Sequence, residues 1–372
     1  MTSKALAFLL ATCLVSPAFA AQLEKIDHPP ALHSLPLFTP SRVLISPPGG
    51  PGLHDYASQW PGTYFEAAFK GTQVFFETAT EHEILHLVID DQKPLILTDP
   101  LAGFYRISGL SNSTHSVALF IATENQGPAS HFRGFAISSA ETPLAPPKRS
   151  RQIEFIGDSH TVGFGNLSPK PECSNDEVFS STDNTQAFGP LTAAYFHADY
   201  QVNAISGRGI VRNYNGATVD TIPAAYPYLL FHQSRPYRDP AWSPQVIVIA
   251  LGTNDFSTPL KHKEKWKTRD QLHADFEATY VRFLETLRAR NPAAYIILWA
   301  SDLLYGEVAS EEQRVVDRMK AHGEARIAFL RIDHLSCTGC FYHPSAADDR
   351  AIKDQLAQFI AAQPNIWQGK AP

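Results

Sequence analysis

The sequence predicts an α/β protein in which an N-terminal β-sandwich precedes a C-terminal three-layer α/β/α domain with a parallel sheet. Three observations lead to this prediction. The chain has 372 residues, a length that suits two domains of ordinary size. Residues 64–138 contain short strand patterns and no convincing helix, as in an antiparallel sandwich. Residues 153–361 alternate apolar strands with helical patterns, as in a parallel sheet covered on both faces.

Composition excludes several classes of protein. Hydrophobic residues make up 44% of the chain, which is enough to build a core and excludes a disordered chain. Lys and Arg total 31 against 37 Asp and Glu, a net charge of −6. Nucleic-acid-binding domains normally carry a basic surface, so we expect no nucleic-acid partner.

The first twenty residues resemble a leader and not a part of the fold. Lys4 precedes an apolar run over residues 5–15, and Ala18-Phe19-Ala20 has the small-x-small pattern of a cleavage site. A membrane-spanning helix needs about 20 apolar residues, roughly twice the length of this run. We therefore predict a signal peptide over residues 1–20, cleaved after Ala20, and a secreted or periplasmic protein with no membrane partner.

The predicted β-sandwich covers residues 21–140. Its first part, residues 21–63, is rich in Pro and Gly and is interpreted as irregular. Six strands follow, each short, rich in β-branched or aromatic residues and bounded by Gly, Pro, Asn or Asp; they are 64–69, 72–77, 84–89, 103–109, 114–123 and 134–138. Residues 141–151 are rich in Pro and basic residues and are interpreted as a linker.

The second domain is predicted over residues 152–372. Residues 245–251 form a continuous apolar run, which is typical of a parallel strand buried on both faces. The full pattern comprises five strands and four helices. The strands are 153–156, 201–205, 245–251, 295–299 and 327–332, and the helices are 185–196, 269–289, 311–322 and 345–361.

Loops after these strands carry residues suited to acyl transfer. In an open α/β sheet, ligands bind beyond the carboxyl ends of the strands. Ser159 follows the first strand, and its hydroxyl can attack a carbonyl if a base removes the proton. His343 is the natural base. The oxyanion of the intermediate needs fixed donors, and the backbone N–H groups of Ser159 and Gly207 and the side-chain amide of Asn254 are candidates.

The motifs, taken in order, resemble the SGNH (GDSL-type) hydrolase superfamily over residues 152–362. Those motifs are Gly-Asp-Ser at 157–159, Gly207, Gly-x-Asn-Asp at 252–255 and His-Pro at 343–344. With Gly-Phe-Gly-Asn at 163–166, Phe-Ser at 256–257 and Gly-Cys at 339–340, the chain is most similar to carbohydrate esterase family 2. The resemblance implies a jelly-roll N-terminal domain and a serine esterase that removes acetyl groups from xylan, mannan or related plant polysaccharides.

The resemblance also implies an acyl-enzyme, with Ser159 as nucleophile, His343 as base, and Gly207 and Asn254 as further oxyanion donors. It implies no cofactor. We expect a monomer, and we expect that the reaction requires no metal. Two rival functions stay open: a broader lipase, thioesterase or arylesterase of the same superfamily, and an inactive carbohydrate-binding protein.

One position departs from the superfamily pattern. Most members have an Asp three residues before the His, and here that residue is Cys340. Either a Ser–His dyad operates with a backbone carbonyl, such as that of Cys340, on the imidazole, or Asp333 supplies a displaced acid; the tautomer requirement favours the dyad. Of the cysteines beyond the leader, Cys173 can pair with Cys340 or with Cys337, and the sequence leaves the choice open.

Overall fold

The computed structural model describes residues 21–47, 53–80, 82–231 and 235–368. The predicted signal peptide, residues 1–20, lies outside the described residues. The described chain forms an N-terminal β-sandwich followed by an α/β domain with a parallel sheet. Among the described residues, no helix is both long and apolar enough to cross a membrane.

The N-terminal part contains twelve strands within the described residues. They are β1 (Gln22–Ile26), β2 (His33–Ser34), β3 (Leu44–Ser46), β4 (Asp55–Ser58), β5 (Tyr64–Gly71), β6 (Val74–Ala79), β7 (Ile84–Ile89), β8 (Leu95–Thr98), β9 (Gly103–Ser108), β10 (Ser113–Ile121), β11 (Ser130–Ile137) and β12 (Thr142–Leu144). One sheet runs β1-β9-β6-β11-β4-β3, with β2 paired to β11, and the other runs β12-β5-β10-β7-β8. All these pairings are antiparallel, and apolar side chains of both sheets form one shared core.

The six strands expected over residues 64–138 are all present, but the interpretation of residues 21–63 as irregular is wrong. Strands β1 to β4 lie there. They are two to five residues long and mostly exposed or half-buried, so they carry little of the alternation that reveals a strand in sequence. Strand β12 lies within residues 141–151 and pairs with β5, so the segment interpreted as a linker contributes an edge strand to the sandwich.

The C-terminal part is built on five parallel strands in the order β14-β13-β15-β16-β17. The strands are β13 (Arg151–Gly157), β14 (Ala198–Ala204), β15 (Val246–Ala250), β16 (Tyr295–Ala300) and β17 (Ile327–Arg331). The α-helices are α1 (Ser159–Val162), α2 (Asn175–Ser181), α3 (Phe188–Tyr195), α4 (Ile222–Ala225), α5 (Thr253–Phe256), α6 (Arg269–Arg290), α7 (Glu307–Ala321) and α8 (Ala346–Ala362). Four short 3₁₀ turns occur in the part of this domain that the structure describes, at Asn184–Gln186, Tyr214–Gly216, Leu303–Gly306 and Cys340–Tyr342.

Both faces of this sheet are buried, which explains the continuous apolar run of β15. Val246 and Val248 pack into one hydrophobic cluster with α3 and α8. Ile247 and Ile249 point the other way, into a second cluster with α6 and α7. Alternate side chains of a strand face opposite sides, so a strand covered on both sides needs apolar residues at every position.

The strand order brings the chemistry-bearing loops together. Strand β13 lies between β14 and β15, and all three run in the same direction. The loops that follow them start at Asp158, Ile205 and Leu251, so they leave the sheet side by side at its carboxyl edge.

The sandwich and the α/β domain are joined by buried and half-buried polar contacts. Arg149 bonds both Glu66 of β5 and Asp199 of β14, at 2.7–2.8 Å. The Tyr64 hydroxyl reaches Asp199 at 3.1 Å. Arg42 is buried in the α/β domain, where it pairs with Glu154 at 3.2 Å. Removing one partner of such a pair leaves a buried charge uncompensated, so these contacts fix how the two domains meet.

Candidate active site

A sharp turn between β13 and α1 presents Ser159. A Cβ on Gly157 would lie 1.9 Å from Thr161 Oγ1 and 2.9 Å from the Ala250 carbonyl oxygen, so only glycine fits. The next residue, Asp158, caps α1 by accepting from the His160 N–H at 3.1 Å. Ser159 is the first residue of the helix, and its N–H therefore has no acceptor within the helix.

His343 contacts Ser159 from the other end of the chain. Its Nε2 lies 2.8 Å from Ser159 Oγ, and its Nδ1 lies 2.7 Å from the backbone oxygen of Cys340. A carbonyl can only accept a hydrogen bond, so Nδ1 carries the proton and Nε2 is free to accept from the serine hydroxyl. This is the tautomer that general-base catalysis requires.

Of the two groups predicted as candidates for orienting the His343 imidazole, the Cys340 carbonyl contacts it and Asp333 is bonded to another residue. The Cys340 carbonyl is bonded to His343 as described, whereas Asp333 lies beside Arg331, whose Nε is 2.7 and 2.9 Å from its carboxylate oxygens. A disulfide joins Cys340 to Cys173, and Cys337 is a buried free thiol.

The loop that carries His343 is packed against the turn that follows the nucleophile. The Cys340 N–H donates to the Gly165 carbonyl at 3.1 Å, and the Ala346 N–H donates to the Asn166 carbonyl at 2.8 Å. A Cβ on Gly165 would lie 2.3 Å from Cys340 Cβ. The Gly-Phe-Gly-Asn motif therefore allows the backbone of the Ser159 turn and that of the His343 loop to approach closely.

Gly207 lies in the loop after β14, with φ +80°, a region that favours glycine. The loop is anchored by Asp255, which is fully buried. Its carboxylate accepts three backbone N–H groups, those of Ile210, Val211 and Arg212, at 2.8–3.0 Å. Asp255 of the Asn-Asp pair thus fixes the loop that contains Gly207.

Asn254 is buried at the start of α5, and its side-chain amide is held on two sides. Nδ2 lies 3.0 Å from Asp158 Oδ2 and 2.9 Å from the Arg208 carbonyl oxygen. Both amide hydrogens therefore have acceptors in the free protein. To stabilise an oxyanion, the hydrogen directed at Arg208 has to be shared with the substrate oxygen.

Ser159, Gly207, Asn254 and His343 line one pocket of about 420 Å³. Its remaining walls come from Phe164, Ser206, Tyr214 and Phe341. Tyr214 and Phe341 are more than half exposed, so aromatic surface borders the mouth. The structure thus brings together the four site residues that the sequence predicted. Three of them come from separate loops, and Ser159 comes from the turn after β13.

Burial keeps this site low in charge. It lowers the pKa of His343 below its usual range, opposed by the hydrogen bond to the Cys340 carbonyl. It lowers the pKa of His160 to about 3 and raises that of Asp158 to about 7. Both imidazoles are therefore neutral near pH 7, the state in which His343 can accept a proton. Among the described residues, no cluster of three or more His, Cys, Asp or Glu is arranged to hold a metal ion.

Sequence reasoning missed two residues that border the site from the sandwich. Glu124 and Gln126 follow β10 and contact Ser206, next to Gly207. They lie about eighty residues from Ser206 in a different domain, and no local pattern marks them. It also missed that Tyr214 and Phe341 line the pocket.

The fold and the site together define an ester hydrolase of the GDSL type, with a β-sandwich placed before the α/β domain. Comparison with protein families agrees for each part. Residues 155–363 match the GDSL-like lipase/acylhydrolase family. Residues 53–147 match the model described as carbohydrate esterase 2 N-terminal.

Individual relatives make the assignment more specific. The chain is 42% identical over 369 residues to an acetylxylan esterase / glucomannan deacetylase of Cellvibrio japonicus, covering 99% of this chain and 100% of the relative. A solved carbohydrate esterase, described as having an active site with divergent catalytic and non-catalytic binding functions, is 43% identical. It superposes with a TM-score of 0.85 over 90% of this chain and 99% of its own.

A family two carbohydrate esterase from Clostridium thermocellum, solved in complex with cellohexaose, is 26% identical. Its TM-score is 0.74, over 87% of this chain and 98% of its own. The protein described here belongs to carbohydrate esterase family 2 and is a carbohydrate esterase.

Proposed function

We propose that this protein removes O-acetyl groups from plant polysaccharides or their oligosaccharides, such as acetylated xylan and glucomannan, through an acyl-enzyme. The observation that carries the mechanism is the position of His343, with Nε2 2.8 Å from Ser159 Oγ and Nδ1 2.7 Å from the Cys340 oxygen. The substrate class is supported by the similarity to the acetylxylan esterase / glucomannan deacetylase and by the aromatic mouth of the pocket.

In the first half-reaction, Ser159 Oγ attacks the acetyl carbonyl carbon while His343 Nε2 takes the hydroxyl proton. The backbone N–H groups of Ser159 and Gly207 and the amide of Asn254 stabilise the oxyanion. The bond between the acyl carbon and the sugar oxygen then breaks, and the imidazolium gives its proton to that oxygen, which leaves as a sugar hydroxyl.

In the second half-reaction, His343 removes a proton from water, which attacks the acetyl-Ser159 ester. Acetate leaves, and the serine recovers its proton from the imidazolium. The Cys340 carbonyl holds Nδ1–H throughout, so the imidazole keeps one orientation and one tautomer. A carbonyl cannot neutralise the imidazolium as a carboxylate does, but its dipole stabilises the positive charge.

We further propose that the protein acts outside the cytoplasm as a monomer. The predicted leader and the Cys173–Cys340 disulfide support export, because disulfides persist in oxidising compartments.

The test is acetate release, followed by NMR, from acetylated xylan and acetylated glucomannan by the wild type and by Ser159→Ala. We expect release by the wild type and none by the variant, whose smaller side chain leaves the fold intact. Turnover of p-nitrophenyl acetate by Ser159→Ala at the wild-type rate contradicts the mechanism.

Substrate chain length separates the esterase from its broader relatives. An acetylesterase loses activity on p-nitrophenyl butyrate and longer esters. Activity that increases with acyl length contradicts the proposed substrate class and favours a general lipase or arylesterase. Folded protein that binds the polysaccharides and releases no acetate from any ester contradicts the proposed hydrolysis.

A further inference from the structure

The loop after β10, residues 122–129 of the sandwich, touches the backbone of the oxyanion loop. Glu124 Oε1 accepts from the Ser206 N–H at 2.7 Å. Gln126 Nε2 donates to the Ser206 carbonyl at 3.1 Å and also lies 3.3 Å from Glu124 Oε1. Two side chains from one domain thus hold both polar backbone groups of a single residue in the other domain.

The Ser206 carbonyl belongs to the same peptide unit as the Gly207 N–H. A trans peptide is planar, and its C=O and N–H point in opposite directions. Because Gln126 holds the Ser206 carbonyl towards the sandwich, the Gly207 N–H points away from the sandwich. Ser206 and Gly207 both line the pocket with Ser159, so the orientation of this peptide affects the site directly.

Glycine at position 207 makes this peptide easier to rotate, so a hold from outside the loop affects its orientation. The Gly207 φ of +80° is one of several conformations open to glycine at little cost, so the Ser206–Gly207 peptide can rotate more freely than others. The Ser206 N–H bond to Glu124 fixes one side of Ser206, and the Gln126 bond fixes the other. A hydrogen bond accepted by a peptide oxygen also polarises that peptide, which strengthens its N–H as a donor.

The loop that provides these side chains is itself well anchored. The Gly127 N–H donates to Asn125 Oδ1 at 2.7 Å, and Gln59 Nε2 donates to the Gly127 carbonyl at 2.7 Å. At the start of the loop, the Ala122 carbonyl accepts from the Asn184 N–H of the α/β domain at 2.7 Å. The loop can therefore transmit a fixed position to Ser206.

We propose that Glu124 and Gln126 are positioning residues of the active site, through which the β-sandwich orients and polarises the Ser206–Gly207 peptide as an oxyanion donor. The proposal rests on the proposed function, because it assigns the Gly207 N–H to the oxyanion. It gives the sandwich a part in catalysis that does not require the sandwich to bind glycan.

Four variants test the proposal. Gln126→Ala removes the donor, Glu124→Ala removes the acceptor, and Glu124→Gln keeps an acceptor oxygen. Tyr64→Phe is the matched control, since it deletes another hydrogen bond between the domains, 3.1 Å long to Asp199, away from Ser206. The measurements are kcat and KM on p-nitrophenyl acetate, and affinity for a methylboronic acid that forms a tetrahedral adduct on Ser159.

We expect Gln126→Ala and Glu124→Ala to lower kcat by roughly 3–10-fold, the scale of one net hydrogen bond, with KM changed less than twofold. Boronate affinity should fall in parallel, because the adduct places an oxygen where the oxyanion forms. Glu124→Gln should recover most of the loss, and Tyr64→Phe should match the wild type. Unchanged kcat in both alanine variants, a change confined to KM, or an equal loss in Tyr64→Phe overturns the proposal.

A readout that needs no turnover separates this proposal from the proposed function. In protein labelled with ¹⁵N-glycine, we expect the Gly207 amide resonance to move in Gln126→Ala and to stay in place in Tyr64→Phe. An unmoved Gly207 resonance overturns the positioning role even when the wild type releases acetate. A wild type that releases no acetate, with a Gly207 resonance that still moves, refutes the proposed function and leaves the contact between the domains established.

Discussion

Gly165→Ala should disable the site without touching any residue that meets substrate. The new Cβ would lie 2.3 Å from Cys340 Cβ, which is more than 1 Å closer than ordinary van der Waals contact allows. The Cys340 backbone therefore has to move by about 1 Å, and its carbonyl is the group that holds His343 Nδ1. A displacement of that size can cost about 10²-fold in rate, so we expect kcat to fall about 10–10²-fold.

The left-handed conformation of Gly165, with φ +58°, adds a second effect that must be separated. An L-residue there costs roughly 1–2 kcal/mol of stability. Gly323→Ala is the matched control, because Gly323 also has positive φ but its Cβ would meet nothing within 4 Å. We expect both variants to lose stability and only Gly165→Ala to lose activity.

The assay is kcat on p-nitrophenyl acetate at a temperature where circular dichroism shows both variants folded. Mass spectrometry of the unreduced protein confirms that the Cys173–Cys340 bond has formed in each. Folded Gly165→Ala with the disulfide intact and wild-type kcat would refute the reasoning, since it would show that the imidazole tolerates a displaced carbonyl.

Three further predictions follow from the site and from one buried acid. Asn254→Ala should lower kcat by about 10²–10³-fold, the usual cost of losing one oxyanion donor; a loss below fivefold in single-turnover kinetics would contradict the donor role. Because burial lowers the pKa of His343 and only the neutral imidazole accepts the Ser159 proton, the acidic limb of kcat/KM should lie below pH 6.5. An acidic midpoint above 7 in a pH–rate profile would contradict that environment. Glu83 is buried with one oxygen accepting from Ser130, and burial raises its pKa to about 8. The folded state therefore holds the proton that the unfolded state releases near pH 4.5, and stability falls as pH rises towards 8. Between pH 5 and 8 the wild type should lose up to about 4 kcal/mol of unfolding free energy relative to Glu83→Gln, which does not titrate. Urea unfolding at both pH values measures this difference, and an equal change in the two proteins would refute the raised pKa of Glu83.

The parts of the site that could be predicted from sequence share a physical basis. Ser159, Gly207 and Asn254 each come shortly after a predicted strand, and parallel strands deliver their following loops to one edge. His343 was placed by its motif. These inferences required no measured distance, because the regular geometry of a parallel sheet places the loops that follow its strands close together.

What could not be predicted depends on contacts between distant parts of the chain. The short strands β1, β2 and β4 are held by pairing with strands far along the sequence, β9 for the first and β11 for the other two, so their own residues show no pattern. Glu124 and Gln126 reach the site only because the two domains dock as they do. The partner of Cys173 was open because Cys337 and Cys340 are three residues apart, and only the fold places Cys340 within bonding distance of Cys173 and leaves Cys337 as a free thiol.

The group that orients His343 is a main-chain atom, and that has a consequence for how this enzyme can change over time. Every amino acid at position 340 has a carbonyl oxygen, so no single substitution deletes the group, and a mutational scan of position 340 would not isolate its role. Natural selection can change the position of the Cys340 carbonyl only by changing the path of the backbone, which Gly165 and the disulfide define. A functional group of this kind cannot be deleted by a substitution at its own position; it is lost when the loop that carries it is displaced, as Gly165→Ala is expected to do.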